Sequence, residues 1–151
     1  MKFLGRRQGV SGACDALETL PGQAFDAAGE LEIEQLRGEL RRAPAGARDQ
    51  LATWSKLTGL DLERLGTTAE VEEITDTANT QPLVVASALL AYDELVKQYD
   101  LPADTIVAGH SVGELAAAAI AGVITPDEAV TLAAIRGGEM ARACALEPTT
   151  M

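Results

Sequence analysis

The chain has 151 residues, a formal net charge of −11, 47% hydrophobic residues and only 3% aromatic ones. That length predicts one domain with enough chain for a real core. The excess of acid argues against nucleic acid and anionic membrane as partners, because both reward clustered Lys and Arg.

Two cysteines, Cys14 and Cys144, make no disulfide or metal framework. Met1-Lys2-Phe3-Leu4-Gly5-Arg6-Arg7 has a basic start but no apolar stretch after it, and no segment reaches the roughly 20 apolar residues of a membrane span. The expectation is a cytoplasmic chain without metal.

Residues 1–50 form a poorly defined N-terminal segment. Within it, residues 30–42 hold Ile33, Leu36 and Leu40 at helical spacing among charges, which predicts a surface helix. Residues 43–48 read as a loop or linker. Residues 51–57 suit a short helix carrying the only tryptophan, Trp54, with Gly59 ending it. Thr67 and Glu70 have capping-box spacing and would open a helix through Val71 and Ile74. Thr80-Gln81-Pro82 introduces the next helix, with Pro82 at the first helical position, where a missing N–H costs nothing. Its run 83–91 is apolar on nearly all sides, so that helix is buried. Leu101-Pro102-Ala103 ends it.

Residues 105–108 are short, β-branched and apolar, which predicts a central strand of a parallel sheet. Residues 115–121 follow as a helix of small residues closed by Gly122. Thr125-Pro126-Asp127-Glu128 is the cleanest helix start in the chain: Thr cap, Pro next, acids in the first turn. That helix carries Ala129, Val130, Leu132, Ala133 and Ile135, passes Gly137-Gly138 and frays near Glu147-Pro148. The order of helix, strand, turn and helices is α/β grammar.

The run Ile106-Val107-Ala108-Gly109-His110-Ser111-Val112-Gly113-Glu114 carries Gly-X-Ser-X-Gly between the expected strand and an expected helix. This is the form of a nucleophile elbow, a tight turn that exposes the serine hydroxyl, with both glycines at crowded places. The free N–H of Val112, at the following helix N-terminus, suits a developing oxyanion. A serine alcohol needs a base to take its proton. His110 is the only histidine, and adjacent side chains on a sharp turn diverge. It either packs and hydrogen-bonds beside the elbow or touches substrate. Glu114 is a solvated first-turn acid or a structural group near the site. Arg136, on an apolar helix face before two glycines, either snorkels to water or aims its planar fork at a carboxylate.

Gly109-His110-Ser111-Val112-Gly113-Glu114, with Gln81-Pro82 upstream, Ala121-Gly122-Val123-Ile124 after it and Arg136-Gly137 beyond, resembles the malonyl-CoA:acyl-carrier-protein transacylases of actinobacterial type. The resemblance runs over residues 51–151. It implies an α/β fold, the N-terminal part of an α/β-hydrolase-like acyltransferase domain, with parallel strands flanked by helices and a serine nucleophile elbow. It implies that Ser111 takes malonyl from malonyl-CoA as an ester and passes it to the acyl carrier protein, in fatty-acid or polyketide biosynthesis, with no metal or organic cofactor. By the same resemblance Arg136 pairs with the malonyl carboxylate, the Val112 N–H is one oxyanion donor, and Gln81 and His110 are substrate-side residues. Gln8 falls nearest the family's other oxyanion donor, in Arg6-Arg7-Gln8-Gly9 rather than Leu20-Pro21-Gly22-Gln23.

The family's catalytic histidine lies in a second half that follows a ferredoxin-like subdomain. That half falls beyond Met151, so the chain reads as truncated, with an incomplete catalytic apparatus. Two other readings stand beside this one. A non-catalytic fragment would at best bind a partner or an acyl group. A serine hydrolase would give its acyl group to water, and Arg136 favours an acyl group that bears a carboxylate.

Overall fold

The structure is a computed structural model and describes residues 45–146. Its described residues form six helices: α1 Ala45–Thr58, α2 Leu62–Thr67, α3 Val71–Thr75, α4 Thr77–Gln98, α5 Gly113–Ile120 and α6 Pro126–Leu146. The surface helix expected over 30–42 and the fraying expected near Glu147-Pro148 lie outside the described residues.

Several boundaries differ from the sequence expectation, each for a local reason. Part of the expected linker 43–48 is the first turn of α1, where Ala47, Arg48 and Gln50 are good helix formers and outweigh Gly46. Helix α2 was not foreseen. Its cap is Asp61, whose carboxylate accepts from the Arg64 N–H at 3.0 Å. Thr67 closes α2 and donates its hydroxyl to the Glu63 carbonyl at 2.7 Å. It therefore does not cap α3, whose N-cap Glu70 makes no side-chain cap bond.

Helix α4 starts before Thr80. Asp76 caps it by accepting from the Ala78 N–H at 2.9 Å, and Pro82 lies buried inside the helix. An Asp cap contributes about 1 kcal/mol, enough to draw the start back to the first carboxylate ahead of the apolar run. The expectation of a buried helix over 83–91 holds: Leu83, Val85, Ala86, Leu89 and Leu90 are all in the core.

Helix α5 ends in a Schellman turn. Gly122 takes φ +74°, its N–H donates to the Ala119 carbonyl at 3.0 Å, and the Val123 N–H donates to the Ala118 carbonyl at 2.9 Å. Helix α6 starts with the capping box expected at Thr125. The Thr125 N–H and hydroxyl donate to the Glu128 carboxylate at 2.7 and 2.9 Å, and the Glu128 N–H donates back to the Thr125 hydroxyl at 3.2 Å. The bonds from Thr125, its backbone N–H first, hold the Glu128 carboxyl below the usual glutamate range. The two helices thus form a hairpin that turns at residues 121–125.

The core gathers where α4, α5 and α6 meet, with α1 and α2 closing one side. Trp54, Leu51, Leu62, Ile74, Leu83 and Val130 are among its most completely buried large side chains, and Ala116, Ala129 and Ala133 let helices approach closely. The Trp54 indole N–H donates to the Asp127 carboxylate at 2.8 Å, which ties α1 to the first turn of α6. A buried indole N–H without a partner would be costly, so Asp127 fixes this packing.

The expected strand over 105–108 is not one among the described residues. The Thr105 N–H and hydroxyl both turn back to the Pro102 carbonyl, at 3.0 and 2.6 Å. Ile106 is 76% exposed. A strand exists through its ladder partner, and no described segment pairs with this one.

Candidate active site

Ser111 sits where irregular chain becomes helix. Its φ is +51°, the only positive φ of a non-glycine residue among those described. For an L-residue that conformation costs roughly 1–2 kcal/mol, and such strain concentrates at functional turns. Two backbone bonds roll the turn into α5: the Gly113 N–H donates to the His110 carbonyl at 2.9 Å, and the Glu114 N–H donates to the Ser111 carbonyl at 3.1 Å. The N–H of Val112, the N-cap of α5, donates to nothing among the described residues.

The two glycines of Gly-X-Ser-X-Gly have different duties. A Cβ on Gly109 would lie 2.1 Å from the Gly113 carbonyl oxygen, so only glycine fits there. A Cβ on Gly113 would meet nothing within 4 Å. The crowding expected at both positions exists at the first alone.

Arg136 reaches this turn from α6. Its Nη2 donates to the Ser111 Oγ at 3.2 Å, and its Nη1 donates to the Gln81 Oε1. The guanidinium therefore does not snorkel: one arm is anchored on α4 and the other touches the serine. Gly137 makes the reach possible. A Cβ there would sit 2.5 Å from the Thr77 carbonyl oxygen, so the glycine lets α6 lie against the first turn of α4.

Gln81 is 6% exposed, and its second amide group is also engaged: Nε2 donates to the Met140 Sδ at 3.1 Å. The role of Gln81 as the anchor of Arg136 was not visible in the sequence, and Met140 was missed entirely. The spacing of Arg136 and Met140, four residues apart on one helix face, was the available signal.

The His110 imidazole is exposed and makes no hydrogen bond to a described residue. Glu114 is an exposed acid in the first turn of α5. Gln8 lies outside the described residues. Among the described residues no side chain accepts the Ser111 hydroxyl proton. None forms a cluster that could hold a metal ion, and no helix is long and apolar enough to cross a membrane.

Chemically, the site offers an exposed alcohol on a strained turn, a free backbone N–H beside it and a fixed guanidinium. An anionic group bound next to the alcohol would meet a donor already held in position.

Comparison with known proteins shows the family to which the chain belongs. The acyl transferase domain model matches residues 41–148. The malonyl CoA-acyl carrier protein transacylase of Mycolicibacterium smegmatis is 69% identical over 106 residues, covering 70% of this chain and 37% of that protein. The crystal structure of MCAT from Mycobacterium tuberculosis superposes with a TM-score of 0.69 at 61% identity, covering 75% of this chain and 37% of the other. An acyl carrier protein S-malonyltransferase from Vibrio cholerae superposes at 0.56 and 31% identity, over 68% of this chain and 33% of its own. The chain spans about a third of the length of these relatives.

Proposed function

The chain belongs to the acyl transferase domain family, and from that premise we propose that it carries the acyl-accepting part of a malonyl-CoA:acyl-carrier-protein transacylase with an α/β-hydrolase-like elbow. In this reading Ser111 Oγ attacks the thioester carbonyl of malonyl-CoA, coenzyme A leaves as the thiol, and malonyl rests on Ser111 as an ester. Attack by the phosphopantetheine thiol of the acyl carrier protein then restores the serine.

The observation that carries this reading is the bond from Arg136 Nη2 to Ser111 Oγ. A cation fixed beside the nucleophile selects an acyl group that ends in a carboxylate, and the planar fork suits that group in particular. Malonyl has such a carboxylate and acetyl does not. The Val112 N–H is the proposed donor to the tetrahedral oxyanion, Gln8 the proposed second donor, and His110 a proposed substrate contact. The proposed reaction uses no metal or organic cofactor, and its proposed setting is cytoplasmic.

The proton of Ser111 needs an acceptor that is not among the described residues, so the chain by itself is expected to be slow. The test compares two proteins with radiolabelled malonyl-CoA and acyl carrier protein. One is the chain alone; the other is the Mycolicibacterium smegmatis relative with its matching segment replaced by residues 45–146. The chimera is expected to transfer malonyl, and the chain alone to be slower by about 10²–10⁴-fold, the factor a general base supplies. A folded but inert chimera would sink the reading. Equal rates would show that the acceptor lies within this chain.

A further inference from the structure

We propose that Met140 is a positioning residue for acyl selection, acting through Gln81 on Arg136; this rests on the reading of Arg136 above. The inference starts from Gln81, whose side chain is almost wholly buried at 6% exposure. A buried primary amide carries two kinds of group, and both need partners. Its oxygen takes the N–H of Arg136 Nη1. Its nitrogen has one partner among the described side chains, the Met140 sulfur at 3.1 Å.

The arrangement has one working orientation. If the amide flips, its NH₂ faces the guanidinium, donor against donor, and its oxygen faces a thioether that has no proton to give. A thioether is a weak acceptor, but for a side chain only 6% exposed the alternative is a donor with no described partner. Leucine at 140 would keep the apolar bulk and remove the acceptor. The amide nitrogen would then be left unpaired, and Gln81 would gain by turning towards water and releasing Arg136 Nη1. The guanidinium would lose its anchor on α4 and spend less time aimed at Ser111.

Backbone geometry supports a designed contact. Residues 136 and 140 share a face of α6, so one side chain of α4 can meet both. Gly137 brings that face within reach, since any side chain there would strike the Thr77 carbonyl. Helix spacing and the close helix approach thus build the chain Met140, Gln81, Arg136, Ser111.

The test measures free malonate binding to the chain by NMR titration, with methyl acetate, which carries no carboxylate, as the control ligand, in the unsubstituted chain and in Met140→Leu, Met140→Gln and Arg136→Ala. Loss of one neutral hydrogen bond predicts about a threefold to tenfold rise in Kd for malonate in Met140→Leu. Any binding of methyl acetate is expected to stay unchanged. Met140→Gln, which returns an acceptor at similar reach, is expected to restore malonate affinity, and rescue of this kind is not expected of a packing role. The Gln81 side-chain amide resonances are expected to shift in Met140→Leu and to move back in Met140→Gln. Unchanged malonate affinity in Met140→Leu, or equal losses for malonate and methyl acetate, would overturn the inference while leaving Arg136 in place. Malonate binding that survives Arg136→Ala, or none in the unsubstituted chain, would overturn the underlying reading and the inference with it.

Discussion

Arg136 and Ser111 lie 25 residues apart, on opposite arms of the α5–α6 hairpin, yet the Arg136 Nη2 donates to the Ser111 Oγ at 3.2 Å. Two glycines make that meeting possible. Gly122 turns the hairpin with its positive φ, and Gly137 lets α6 settle against α4 so that Gln81 can hold the other arm of the guanidinium.

The first prediction concerns selectivity. In the chimera, Arg136→Ala is expected to cost malonyl transfer at least about 30-fold, the lower end for removing one partner of a hydrogen-bonded charge pair. Acetyl transfer, tested with acetyl-CoA, is expected to change little. Equal loss for both donors would count against a carboxylate contact.

Adjacent glycines on α6 are expected to respond in opposite directions. Gly137→Ala forces a methyl to within 2.5 Å of the Thr77 carbonyl oxygen and is expected to destabilise by about 1–3 kcal/mol. Gly138→Ala meets nothing within 4 Å and is expected to stabilise by about 0.5–1 kcal/mol, the ordinary helix preference. Urea denaturation of both variants checks the sign. Similar values for the two would mean that the close approach of α4 and α6 is not as described.

How much of this was legible in the sequence depended on whether the cause was local. The capping box at Thr125 and Glu128 is written within four residues, so helix α6 was readable, as was the Ser111 turn from its glycine spacing. Asp61 and Asp76 are equally local caps that went unread, because Thr67 and Pro82 offered competing starts. The strand expected over 105–108 is absent among the described residues for another reason: β pairing depends on a distant partner that a four-residue pattern does not contain. The bond from Trp54 to Asp127 and the contact of Gln81 with Met140 join segments far apart in sequence; the shared helix face of Arg136 and Met140 hints at the second but does not name Gln81 as the partner.

Backbone strain at the turn gives a stability prediction that runs against function. Ser111→Gly removes the penalty of φ +51° and is expected to be more stable than Ser111→Ala by about 1 kcal/mol, with neither able to accept an acyl group. Thermal denaturation of the two variants decides it. An alanine variant as stable as the glycine one would show that the turn relaxes and stores no strain.

The central claim is that Ser111 receives the acyl group. The direct measurement mixes the chimera with malonyl-CoA, quenches in acid and maps the modified peptide by mass spectrometry. One malonyl ester on Ser111 is expected, absent in Ser111→Ala and strongly reduced in Arg136→Ala. A malonyl group mapped to any other residue, or labelling that persists in Ser111→Ala, would contradict the account.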